Sequence, residues 1–381
     1  GFSGQAGITV ELTRAGDHLW INGQGLDVRQ TVVTDAAGKT WPARYIAVAP
    51  ERGVARIDFG RTLSPQRLIL GIAYQASYSG ASEGAYRITQ DGRASVATDT
   101  QPLGARRVFP SFDEPALKTP YPLSLTVPDS LVALANTRPT GEKPAGKGWK
   151  TVSFAPTAPL PSYLLAFAVG PWDVHAVVAL PPHGARTRSV PLRAVTFAGR
   201  AADMHWVLAQ TPAIVAGLED YYASPYPWQK LDLLDVDGGM ENPGLVALGD
   251  IGSAAPHASL GSLRGAFDLA AHELAHQWTG DLVTMSWWDD VWLNESLAIW
   301  MQQKLSLRLH PEYRADLQQV RETQSVMAAD AQASARAIRH PVVKRGDIEN
   351  AFDGTGEAKG AAVLGMFEHY VGESTFRRGL R

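Results

Sequence analysis

The hydrophobic period of this chain changes once, near Thr196, and that change constrains its fold more than any single motif. Before it, short runs with strand patterning are separated by turn residues: Ile8 to Leu12, Arg67 to Leu70, Leu123 to Val127 and Thr151 to Phe154. Pro139, Gly141, Pro144, Gly146 and Gly148 mark the stretch Asn136 to Lys150 as loop or hairpin turn, and strand patterning resumes beyond it to about Leu192. After Thr196 the period is helical, and Met204, Trp206, Val207, Ile214, Val215 and Leu218 fall on one broad apolar surface. A strand-like run, Leu231 to Val236, leads into helices expected at 262–279, 293–309, 311–331 and 359–371. A chain of 381 residues exceeds what one core usually organises. The expected fold is therefore α+β in two domains: an all-β domain over residues 1–193 and a mainly helical one over 194–381. The last helical pattern reaches Arg381 with no capping signal, which leaves room for a further domain.

Composition removes several function classes. A net charge of −3 provides no basic field for nucleic acid or an anionic membrane. With no cysteine, thiol nucleophiles, disulfides and cysteine-held metals are excluded. The longest apolar stretches, such as Tyr163 to Trp172, are far too short to span a bilayer, so the expectation is a soluble chain, cytoplasmic or periplasmic/secreted. A first residue of Gly rather than Met suggests a trimmed or processed N-terminus. The expected partner is a small molecule or peptide.

The stretch His272-Glu273-Leu274-Ala275-His276 lies in a helical pattern. Two histidines at i and i+4 stand one turn apart on the same face, so both imidazoles can reach one cation. With ten histidines in the chain, a chance H-E-x-x-H is about a one-in-a-hundred event. Catalytic zinc usually takes three protein ligands and keeps a position for water, so one more ligand is required. Glu295, in Trp292-Leu293-Asn294-Glu295-Ser296 at the start of the next helical pattern, is the candidate, at the spacing gluzincin peptidases use. Glu273 is one step round the helix from its neighbouring histidine, where it can take a proton from water as general base. Upstream, Gly238-Gly239-Met240-Glu241-Asn242-Pro243-Gly244 places a carboxylate in a glycine-lined bend that another backbone could approach. Five of the eleven Trp fall between Trp278 and Trp300, a cluster read as core packing.

Together these segments closely resemble the zinc aminopeptidase family typified by aminopeptidase N and leukotriene hydrolase, with its G-x-M-E-N and H-E-x-x-H-x18-E motifs. The likeness covers nearly the whole chain, including Thr100-Gln101, Ala105-Arg106-Arg107, Phe109 to Pro115 and Trp287 to Glu295. It implies an N-terminal β saddle or sandwich, a thermolysin-like catalytic domain and one Zn2+ per chain held by His272, His276 and Glu295. It also implies peptide substrates with a free N-terminus, whose ammonium group is bound by Glu241. Gln101, Gly239 and Met240 would shape the pocket for the first side chain.

The family's tyrosine in Y-x-K-G, which donates a hydrogen bond to the reaction's oxyanion, is replaced: the segment reads Glu357-Ala358-Lys359-Gly360. An ionised carboxylate has no proton to donate, and losing one such donor typically costs about 10²–10³ in turnover. Two expectations follow, a working aminopeptidase with compensation or a catalytically impaired zinc- and peptide-binding relative. Smaller departures are Asp281 in place of Asn, Ser296 in place of Gly, and a shortened stretch between Gln101 and Ala105. The family's helical C-terminal domain has no counterpart in the residues present.

Overall fold

The computed structural model describes residues 1–249 and 258–381, with side chains except at 176–178 and 355. The chain forms two compact units: Gly1–Thr89 with Val96–Lys118 and Pro161–Leu165, and Gln90–Ser95 with Thr119–Leu160 and Ala166–Arg381.

In the first half run β1 (Phe2–Leu12), β2 (Gly16–Asn22), β3 (Asp27–Thr34), β4 (Thr40–Pro42), β5 (Arg44–Ala49), β6 (Val54–Leu63), β7 (Gln66–Ala76), β8 (Gly84–Gln90) and β9 (Arg93–Asp99). One sheet has the order β1-β7-β3-β4 and another β2-β6-β5, with antiparallel pairing such as Ile8 opposite Leu70 and Leu19 opposite Ile57. Alternate residues of β6 and β7, among them Ile57, Phe59, Leu68, Leu70 and Ile72, are buried in one core, as a period of two requires. The short helix α1 (Ala105–Val108) has no periodicity to betray it; its Arg106 is buried and its Nε donates to Asp113 at 2.5 Å.

The second unit holds β10 (Ser124–Pro128), β11 (Val132–Ala135), β12 (Pro139–Pro144), β13 (Trp149–Phe154), β14 (Phe167–Gly170), β15 (Asp173–Leu180), β16 (Val190–Thr196), β17 (Leu231–Leu234), β18 (Gly239–Met240) and β19 (Leu245–Leu248). The stretch expected as loop or turn carries the strand β12, paired with β13; it is exposed along its length at the margin of its sheet, where proline is tolerated. The sheet that matters for the site has the order β15-β16-β17-β19-β18. β16, β17 and β19 run parallel and are almost wholly buried, while two-residue β18 closes the margin antiparallel to β19.

The helices of this unit are α2 (His205–Tyr222), α3 (Leu260–Ala275), α4 (Val291–Leu309), α5 (Ala315–Asp330), α6 (Arg345–Glu349), α7 (Gly354–Val371) and α8 (Glu373–Leu380). The sequence pattern leaves out α6 and α8; Gly372, at φ +84°, ends α7 and lets the chain turn into α8. Ile214, Leu218, Phe267, Leu274, Trp300 and Met301 interlock between α2, α3 and α4, each stabilising the unit by about 1.5–3 kcal/mol. Of the clustered tryptophans, Trp278, Trp288 and Trp300 are buried.

Candidate metal centre

Ser259 caps α3, its Oγ accepting from the Ser262 amide at 3.1 Å, and the helix delivers His272, Glu273 and His276 at its far end. Antiparallel packing of α4 against it brings up Asn294 and Glu295. The Nε2 atoms of His272 and His276 stand 3.1 Å apart, and each lies 3.5 Å from Glu295 Oε2. An ion bonded at about 2.0–2.1 Å to tetrahedrally placed ligands separates them by about 3.3–3.4 Å. The three edges of this triangle bracket that value, so the donors present fit a zinc-sized cation.

The tautomer supports the same use. His276 Nδ1 lies 2.8 Å from Asn294 Oδ1 and 3.2 Å from the Thr279 carbonyl. A carbonyl only accepts, so Nδ1 carries a proton and donates, and Nε2 is the ring nitrogen turned toward His272 and Glu295. Burial favours a neutral His276, but the carboxylates of Glu241, Glu295 and Glu273 outweigh it and hold the imidazole well above its ordinary pKa. Burial alone would raise Glu295; the two imidazoles hold it well below the usual carboxylate range. The field of this pocket is negative and calls for positive charge.

A second group shares His276. One carboxylate oxygen each from Glu241 and Glu273 lies within 4.8 Å of a ring nitrogen of His276 and of the other. Glu241 is delivered by the loop after β18, next to Met240, which is buried, and Gly239, which is exposed. A Cβ at Gly239 would stand 2.2 Å from Glu273 Oε1, so the backbone passes directly over that carboxylate. Glu357 sits in the first turn of α7, where its carbonyl accepts from Ser296 Oγ at 2.9 Å. Burial, then the charge of Glu295, pushes its carboxyl up to about 7, against the pull of His276. Gln101 belongs to the other compact unit, where its amide donates to Asp99 at 3.2 Å.

Two residues that sequence reasoning passed over stand inside this centre. Asn294 Nδ2 donates to Glu295 Oε1 at 3.1 Å and reaches Glu241 Oε1 at 3.3 Å, while its Oδ1 takes the His276 proton. Gly280, at φ +130°, makes room for it, since a Cβ there would lie 2.0 Å from Asn294 Oδ1. Gln277 Nε2 donates to the carbonyls of Glu241 at 2.7 Å and Glu273 at 3.2 Å. Their only sequence signal is adjacency, each standing beside a candidate ligand.

Residues 1–164 match the peptidase M1 N-terminal domain and residues 206–381 the peptidase family M1 domain. Aminopeptidase M1-A of Oryza sativa subsp. japonica is 31% identical over all of this chain and 44% of its own length. Aminopeptidase 2 of Candida albicans is 28% identical over all of this chain and 41% of its own length. The mitochondrial Aminopeptidase 2 of Saccharomyces cerevisiae is 32% identical over 77% of this chain and 31% of its own length. The chain thus spans less than half the length of these curated relatives. With both halves matched, the chain belongs to peptidase family M1.

Proposed function

We propose that this chain is the catalytic part of a zinc-dependent aminopeptidase that removes residues from the N-terminus of peptides. The observation that carries the reading is the triangle of His272, His276 and Glu295, with edges of 3.1, 3.5 and 3.5 Å, set against the carboxylates of Glu273 and Glu241. His272, His276 and Glu295 would hold one zinc ion, which when bound polarises the scissile carbonyl and makes water nucleophilic near neutral pH.

Glu273 then accepts the proton of the attacking water and returns it to the departing amine. Its position beneath the Gly239 backbone keeps it beside a substrate lying along that strand margin. Glu241 pairs with the substrate's ammonium group and leaves only the first peptide bond over the metal triangle. Gly239 and Met240 would border the first side chain.

Glu357 stands where the family places an oxyanion donor. Only in its neutral form can that carboxyl donate, and its burial favours that form. Hydrolysis of amino-acid anilides, with Glu273→Gln as control and N-acetylated anilides alongside, tests the reading. Zinc-dependent turnover abolished by Glu273→Gln and confined to free N-termini is expected. Turnover no higher than that control would end the catalytic assignment; equal cleavage of acetylated substrates would end the role of Glu241.

A further inference from the structure

We propose that Gln277 is a positioning residue that fixes the spacing between Glu241 and the metal triangle, and thereby the enzyme's preference for a free N-terminus; this rests on the anchor role of Glu241 given above. Gln277 follows His276 directly and is fully buried. Its amide nitrogen carries two protons, one for each of the two carbonyls within reach, Glu241 at 2.7 Å and Glu273 at 3.2 Å. Those carbonyls belong to different segments. One is the loop that presents the anchor, and the other is the helix that presents the base and both histidines.

The far end of the loop is held independently of α3. Lys230 Nζ, itself paired with Asp232, donates to the Gly244 carbonyl at 2.6 Å, and Asn136 Nδ2 donates to the Pro243 carbonyl at 3.1 Å. The near end is held by β18, where Gly239 pairs with Leu248 and Met240 with Ala247. These contacts fix both ends of the connection to the sheet and its flanks, whereas Gln277 ties its first residue, Glu241, to the metal-bearing helix. An exopeptidase must match the distance from ammonium to scissile carbonyl across one residue. Misplacement of about 1 Å is enough to cost on the order of 10² in rate. A buried double donor with water excluded is the kind of contact that can hold such a distance.

The test uses the whole chain with its metal. Gln277→Met keeps the volume and removes both donors; Gln277→Glu keeps the shape and faces the two carbonyls with an acceptor. Both should retain one zinc per chain by metal analysis. Both should raise KM for a free amino-acid anilide about tenfold while kcat falls about threefold or less, and lower the free-over-acetylated preference about tenfold. If Gln277→Met does not fold, the Glu variant reads the same quantities. Placed on Glu241→Gln, either change should leave that preference where Glu241→Gln alone puts it, because Gln277 acts through Glu241.

A folded variant that keeps its zinc and the wild-type preference overturns the proposal. So does one that loses kcat on free and acetylated substrates alike, since that marks Gln277 as support for the helix only. A wild-type enzyme without any preference is a separate result: it removes the anchor reading, and the proposal with it, before any variant is compared.

Discussion

The pair α3–α4 and the helix α7 are held in place by different means. On α3 and α4 the chemistry-bearing groups, Glu273, His276, Asn294 and Glu295, are all at least nine-tenths buried and tied into one polar network. On α7, Glu357 is only half-buried, and further along the same helix Met366 is 60% and Tyr370 86% exposed. At the first turn of α7, Ser296 of α4 is bonded to the main chain of Glu357, and further along Lys304 of α4 pairs with Glu368. The first region fixes its chemistry-bearing side chains; at Glu357 the second is held by its main chain. That difference explains how a carboxylate can stand at the family's tyrosine position without disturbing the ligand triangle. It also means the two halves should respond differently to substitution.

The largest effect tests the network itself. His276→Ala should reduce bound zinc from one per chain toward none and lower turnover on the order of 10³-fold or more, read by metal analysis beside an anilide assay. Retained stoichiometric zinc would show that the triangle is not the metal site.

A smaller and opposite effect is expected on α7. Glu357→Tyr should raise turnover about tenfold, because a phenol donates at any pH below about 10. The sign of the pH dependence separates the two side chains. With Glu357 the donor is the neutral carboxyl, so activity should decline as pH rises through about 7, and the Tyr variant should lose that descending limb. An unchanged pH profile would show that Glu357 takes no part in the reaction.

The smallest effect concerns stability, at the outer part of α3. Burial lifts the Asp268 carboxyl to about 6, against the attraction of Arg264. Between pH 4 and 6 the folded chain therefore binds more protons than the unfolded chain. The contribution of Asp268 to stability should be greatest below about 4, fall as pH rises from there to about 6, and stay reduced above it. Asp268→Asn should remove that slope and stabilise the protein by about 1–2 kcal/mol at pH 8, visible as a raised thermal midpoint. A destabilised Asn variant would mean that the charged form is the one the fold prefers.

The sequence shows the two regions unequally too. His272, Glu273 and His276 lie within one helical turn, so their convergence follows from local geometry and could be read directly. Glu295 needed a spacing borrowed from a family, because the approach of α4 to α3 is tertiary. The strands around Ile8, Leu68 and Val152 announced themselves by alternation, whereas β12, with Pro139 and Pro144 inside it, carried the marks of a turn and is a strand only because it lies at a margin. Asn294 and Gln277 were hidden for a different reason. Their importance lies in contacts with Glu241, which arrives from β18 through the folding of the sheet, and no period in the sequence encodes that meeting.

Gly280 shows how far the reach of such a centre extends. It has no side chain and takes part in no chemistry, yet its Cα borders the space that the Asn294 amide fills. Any larger residue must either displace that amide or leave the left-handed half of backbone space that the turn requires. A map of tolerated substitutions would therefore mark position 280 as intolerant as a ligand, and part of the constraint seen along this chain belongs to emptiness that has to be preserved.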